Sequence, residues 1–216
     1  MWATVSAILI EYPNGQRMLY DIGSTDGGKR AAQSVQNHLW HTGKTGIDCL
    51  MFSHADVDHF NGAAQLLETM PVASVCCSPQ FIDLRQSAVE EIIDLLDSSD
   101  IPVKLIQAGD QLLLDNDVTS RILFPQSQTA LKQDNDHSIV LLLEYAGRRI
   151  LLTGDLEPDG QRELQHLLNG RLPVDLMTSP HHGALEANGR ELMEQFSPYH
   201  LIVSSTITRL AQRLKS

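Results

Sequence analysis

The stretch Ser53-His54-Ala55-Asp56-Val57-Asp58-His59 decides how this chain is read. His54, Asp56, Asp58 and His59 place two imidazoles and two carboxylates within six positions, and these are side chains from which proteins bind divalent metals. The apolar run Ile47-Asp48-Cys49-Leu50-Met51-Phe52 precedes them and reads as a buried strand, while Gly62 to Met70 reads as a short helix. The cluster therefore falls on a loop between strand and helix. An acidic loop in which Asp56 or Asp58 caps the helix is the plainer alternative. Taken together, and delivered by an apolar strand, the four residues point to a metal site.

Upstream, Thr4 to Tyr12 and Gln16 to Ile22 are strand-like runs around Pro13-Asn14-Gly15, and Asn-Gly is a strong hairpin signal. Lys29 to His41 is helical in composition. Downstream come a strand at Val72 to Cys77 and a helix from Gln80 to Ser98, whose Val89, Ile92, Ile93 and Leu96 make one apolar face. Pro102 to Ile106, Gln111 to Leu114 and Val118 to Phe124 are strand candidates, followed by a polar loop from Pro125 to His137. Ser138 to Tyr145 and Arg149 to Thr153 form a second hairpin and lead into Gly154-Asp155. Pro158 suits the first turn of a helix to Asn169. Val174 to Thr178 is a strand ending in Pro180-His181-His182-Gly183, and a helix from Glu186 to Phe196 and a strand from Tyr199 to Ser205 follow. Strands with interspersed helices, recurring as hairpins, give an α/β expectation: two mixed sheets face to face with helices outside. The polar clusters all fall just after strands, where α/β proteins tend to build sites.

Bulk properties bound the reading. A chain of 216 residues with 42% hydrophobic content makes one sizeable core, and a single domain over 1–216 is the simpler expectation. The first strand begins almost at the N-terminus and the last ends close to the C-terminus, so the chain is either a compact domain or a fragment of something longer. A net charge of -11 sets the surface against polyanions, so any nucleic-acid contact must be local. Cys49, Cys76 and Cys77 read as buried thiols, because neighbouring residues of a strand face opposite ways. No stretch approaches the ~18 apolar residues needed to span a bilayer, and the start lacks the pattern of a signal peptide. The compartment stays open between the cytoplasm and a membrane reached through a longer protein.

Residues 53–62, Ser-His-Ala-Asp-Val-Asp-His-Phe-Asn-Gly, resemble the HxHxDH signature of the metallo-β-lactamase superfamily. Asp21 in Leu19-Tyr20-Asp21-Ile22-Gly23 is similar to that superfamily's early Asp, and Thr153-Gly154-Asp155 to its metal-bridging Asp. The resemblance implies a four-layer αββα sandwich. Asp56 departs from it, standing where most members carry a second His. HxDxDH, Asn135-Asp136-His137-Ser138, Thr-Gly-Asp and Pro-His-His-Gly together resemble the C-terminal domain of the ComEC family of competence DNA-uptake proteins, thought to be a nuclease.

The resemblance implies two divalent metals: one on His54 and Asp56, a second on Asp58, His59 and His181, with Asp155 bridging. Asp58 and His137 are the expected catalytic residues. Asp21 would support the imidazoles rather than bind metal. His137 adjoins the strand where the family's third His lies further upstream, at the place of Asp134; Asn135 offers a carbonyl oxygen, and His182 is the alternative to His181. Two ions about 3.5 to 4 Å apart suit hydrolysis of a phosphodiester, with single-stranded DNA as candidate substrate. Asp56 hardens the metal shell, which puts manganese first, with zinc or magnesium next. Against DNA stand 16 Lys and Arg facing 27 Asp and Glu. The alternatives are a truncated or non-catalytic module, tethered to a membrane protein, and a hydrolase of another small ester.

Overall fold

Asn14 and Gly15 turn the chain back on itself near the N-terminus, with Gly15 at φ 88 donating its N–H to the Tyr12 carbonyl at 2.9 Å. The hairpin they close consists of β1 (Val5–Glu11) and β2 (Arg17–Ser24). The computed structural model describes residues 5–83 and 86–205.

After α1 (Lys29–His41), three short parallel strands extend the hairpin into a five-stranded sheet: β3 (Cys49–Met51), β4 (Val75–Cys77) and β5 (Val103–Leu105), in the order β1-β2-β3-β4-β5. Between them lie α2 (Val57–Phe60), α3 (Ala63–Leu67), α4 (Pro79–Asp83) and α5 (Ser87–Ser98). A six-stranded sheet follows, made of β6 (Gln111–Leu112), β7 (Thr119–Phe124), β8 (Val140–Tyr145), β9 (Arg148–Leu152), β10 (Leu176–Thr178) and β11 (His200–Ile202), with α6 (Pro158–Leu167) and α7 (Arg190–Phe196). It is antiparallel from β6 to β9 and parallel from β9 to β11.

Strand alternation divides the apolar side chains into three layers. On β3, Cys49 and Met51 face the second sheet while Leu50 faces the helices; around β8, Ile139, Leu141 and Leu143 face the first sheet while Val140 and Leu142 face α6 and α7. Both faces of the central strands are buried, which is why they read as continuous apolar runs. Helices, sheet, sheet and helices form the expected four-layer αββα sandwich. All three cysteines are free and buried; Cys49 and Cys76 lie in the inter-sheet layer and Cys77 in the helix-facing one.

The structure corrects two helices. The single helix expected from Gln80 to Ser98 is two, α4 and α5, because Gln86 is extended at ψ 139 and breaks the pattern; its amide donates to the Asp134 carboxylate at 2.6 Å. The helix expected from Glu186 starts only at Arg190, because the preceding residues turn back toward the Pro180–Gly183 segment. Among the described residues no helix is long and apolar enough to cross a membrane.

Candidate metal centre

Asp21 occupies an irregular point on β2. Ser6 and Ile8 of β1 pair with Gly23 and Tyr20, so β2 carries one extra residue between them, and Asp21 sits there at φ 60. The bulge shifts the alternation: Tyr20 faces the inter-sheet layer and Ile22 the helices, while the buried Asp21 carboxylate is aimed at the loop after β3. Its Oδ1 accepts the Ser53 N–H at 2.7 Å and its Oδ2 the Ser53 hydroxyl at 2.7 Å. Asp21 Oδ2 also meets His59 Nδ1 at 2.8 Å. One residue on, Gly23 lets the α2 backbone approach: a Cβ there would lie 2.2 Å from the Asp58 carbonyl oxygen. Phe52, Phe60 and Phe81 pack as an aromatic cluster behind the loop, with Phe52 and Phe81 stacked at 5.2 Å between centroids.

The second sheet supplies the opposing wall. Asp155 follows Gly154, whose φ of 53 takes the chain out of the strand, and its N–H donates to the Ser138 hydroxyl at 3.1 Å. His59 Nε2 lies 3.2 Å from Asp155 Oδ1, and His182 Nε2 lies 3.4 Å from Asp155 Oδ2 and 3.9 Å from Asp58 Oδ2. The rings of His54 and His59 are 4.2 Å apart, and Nε2 of His54 is buried without a hydrogen-bond partner. Two groups of side chains can each converge on one ion: His54, His59 and Asp155, and Asp58, His59 and His182, with donor atoms all within 4.8 Å of one another.

Electrostatics follow from crowding. Burial pushes the His54 imidazole well below its usual value, and the neighbouring His59 adds to the shift. Burial pulls His59 the same way, but the Asp21 and Asp155 carboxylates outweigh it and hold this imidazole well above its ordinary value. Burial raises the Asp58 carboxyl, with Asp56 and Asp155 adding and His59 opposing. Asp155 is held below the usual carboxylate range, because the charge and hydrogen bond of His59 overcome its burial.

Of the residues singled out in the sequence, His54, Asp58, His59 and Asp155 come together, with Asp21 behind them. His182 enters the cluster where His181 was expected: the His182 side chain is 8% exposed, whereas that of His181 is 34% exposed, turned to the rim and paired through Nδ1 with Glu157. His181 Nε2 is 3.9 Å from Asp155 Oδ2. Asp56 is exposed and belongs to neither group, although its side chain reaches Asp58. Asn135 and His137 lie on a 3-10 turn, again outside both groups; His137 is buried, and burial lowers its imidazole against the opposing charges of Asp136 and Asp134. Sequence reasoning gave no role to Ser53, Glu157 and Ser138. Ser53 and Ser138 stand in the quoted motifs and Glu157 lies two residues past Asp155, so adjacency was the available signal; the pairing of Ser138 with Asp155 spans 17 positions and had none.

A cleft of about 190 Å³ opens onto this cluster along the seam of the sheets, lined among others by Ser6, Tyr20, His59, Asp155, His182 and Ile202. No Lys or Arg is among its described lining residues.

The sandwich and the motif-bearing loops converge on one protein class. Residues 2–203 match the model of the metallo-beta-lactamase superfamily, and the chain belongs to that family. It is 27% identical over 159 residues to ComE operon protein 3 of Bacillus subtilis, covering 74% of this chain and 20% of that protein. To Recombination protein 2 of Haemophilus influenzae it is 26% identical over 193 residues, covering 89% of this chain and 22% of that protein. The chain thus spans about a fifth of the length of these curated relatives. Among solved structures, the metallo-beta-lactamase fold protein YhfI from Bacillus subtilis aligns with a TM-score of 0.55 at 12% identity, covering 94% of this chain and 90% of that one, a likeness of fold.

Proposed function

We propose that this chain is one hydrolase domain that cleaves phosphodiesters with two bound divalent ions. The observation that carries the reading is the buried, partnerless Nε2 of His54, beside a cluster of imidazoles and carboxylates whose donor atoms converge. A buried polar atom of this kind calls for a partner, and the donors around it are those of a metal site.

The donors divide unequally. Nδ1 of His59 faces Asp21, so only its Nε2 is available, and one ring nitrogen serves one ion. Asp58, His59 and His182 would hold one ion and His54 the other, with the Asp155 carboxylate, which lies against both His59 and His182, a donor shared between them. Asp56 stands at the loop surface, so the ground for preferring manganese to zinc is weakened: three imidazoles and two carboxylates suit either ion. Bound ions would lower the pKa of water and neutralise phosphate oxygens. Asp21 fixes the His59 ring by accepting from Nδ1, an arrangement that orients ligands in metal proteins generally. His181, held by Glu157, presents Nε2 at the rim, where it can hydrogen-bond a substrate oxygen. The resemblance of the motifs to the ComEC family, together with a relative named Competence protein ComA, supports DNA as substrate, with a membrane-bound parent protein as the proposed setting.

The cleft favours a second reading. The absence of Lys and Arg among its described lining residues, within an acidic chain, suits a small phosphoester better than a polymer whose affinity comes from basic contacts. Initial rates on single-stranded DNA, a chromogenic phosphodiester and a β-lactam, each with manganese, magnesium and zinc, separate these readings. Phosphodiester cleavage with negligible lactam turnover is expected. Lactam cleavage outpacing both would overturn the proposal, and bound metal without turnover on any would favour a non-catalytic module.

A further inference from the structure

His182 reaches the cluster from an improbable stretch of backbone. His181, His182 and Gly183 follow one another with φ of 46, 52 and 80, so two residues with side chains occupy left-handed conformations in succession. Such a turn persists only where its surroundings over-determine it. Two carboxamides outside the ligand groups do so.

Asn188 spans both ends of the turn. Its Nδ2 donates to the Pro180 carbonyl at 3.0 Å and the Ala184 carbonyl at 2.7 Å, and its Oδ1 accepts the Ser179 hydroxyl at 2.6 Å. Gln161, buried on α6, joins this turn to the Asp155 loop: its Nε2 donates to the carbonyls of Leu156 and Ala187, both at 2.7 Å. Leu156 follows Asp155 directly, and Ala187 precedes Asn188. Both donors of each amide point at carbonyl oxygens, so the orientation of each is fixed by its partners.

We propose that Gln161 and Asn188 are positioning residues that set the separation between Asp155 and His182, and through it the fuller metal site. This rests on the metal-centre reading above. Neither residue touches the cluster; each acts through the backbone that carries a ligand. Because the two ligands come from different loops, their 3.4 Å contact is only as well defined as the brace between those loops.

The test uses the whole chain with Asn188→Ala, Gln161→Met and the milder Ser179→Ala. Cobalt(II) titration should show the tighter site weakened roughly 10- to 100-fold in the first two and less in the third, with an altered ligand-field spectrum. Hydrogen exchange on the metal-free proteins should be faster at residues 181–184 in Asn188→Ala and unchanged in β2, β3 and β8. If Asn188→Ala fails to fold, Ser179→Ala decides, since it removes a single bond. Wild-type affinity and spectrum in variants that fold would overturn the brace. A wild-type chain that takes up no cobalt would overturn the metal reading instead, and exchange in the metal-free protein would still read the brace: unchanged rates at 181–184 would refute it.

Discussion

Asp21 Oδ2 and His59 Nδ1 meet at 2.8 Å across 38 positions of sequence, and both side chains are almost wholly buried. A bulge on one strand thereby fixes the tautomer and direction of an imidazole delivered by another loop. Asp21→Asn keeps the shape and removes the charge, so metal affinity should fall about 10- to 100-fold while the sandwich remains folded. Equilibrium dialysis with zinc, alongside circular dichroism, checks this.

Metal-free stability should depend on pH through the same imidazole. The folded value of His59 lies well above the ordinary one of about 6.5, so its contribution is complete below that pH and is lost as pH rises through the folded value. His54 acts in the opposite sense: its depressed folded value costs stability as pH falls below about 6.5. Urea unfolding of the metal-free protein and of His59→Gln, from pH 6 to pH 9, should show the advantage of the wild type shrinking as pH rises. A constant or growing advantage would contradict it.

The aromatic cluster behind the loop should matter for the whole fold. Phe60 is 1% exposed and packs against Phe52 and Phe81. Phe60→Ala should cost about 3–5 kcal/mol, as large-to-small changes in packed cores do, read as a lower urea midpoint at unchanged slope.

Asp155 and Asp56 should differ sharply as sites of mutation. Asp155 lies within reach of His59 and His182, whereas Asp56 is exposed and outside both ligand groups. Asp155→Ala should abolish metal-dependent turnover, and Asp56→Ala should leave a reduced rate at saturating metal. Equal residual rates would argue against this division.

Much of this was legible in the sequence, for local reasons. The helix Lys29–His41 ends where its composition ends, the first hairpin is announced by Asn14-Gly15, and the β3 run aims Ser53 and His54 at the loop. Residues adjacent in sequence to a strand end stay adjacent in space, so His54, Asp58 and His59 could be grouped from their spacing, while Asp155 joined them only through the family resemblance. The choice between His181 and His182 could not, because consecutive positive φ values turn the pair against any strand or helix periodicity. Asp56 was also out of reach: period-2 reasoning fails in a loop, and its exposure is set by the turn into α2. The amide braces at Gln161 and Asn188 join separate loops, and nothing in their local sequence signals them.

Metal content of purified variants tests the central claim most directly. Wild type, His182→Ala and His181→Ala would be loaded with zinc, dialysed against metal-free buffer and measured by mass spectrometry of the bound ion. The geometry predicts that the wild type retains metal, that His182→Ala loses the tightly held ion, and that His181→Ala keeps it while turning over more slowly. Loss of the ion from His181→Ala with retention in His182→Ala, or no retained metal in the wild type, would contradict the account.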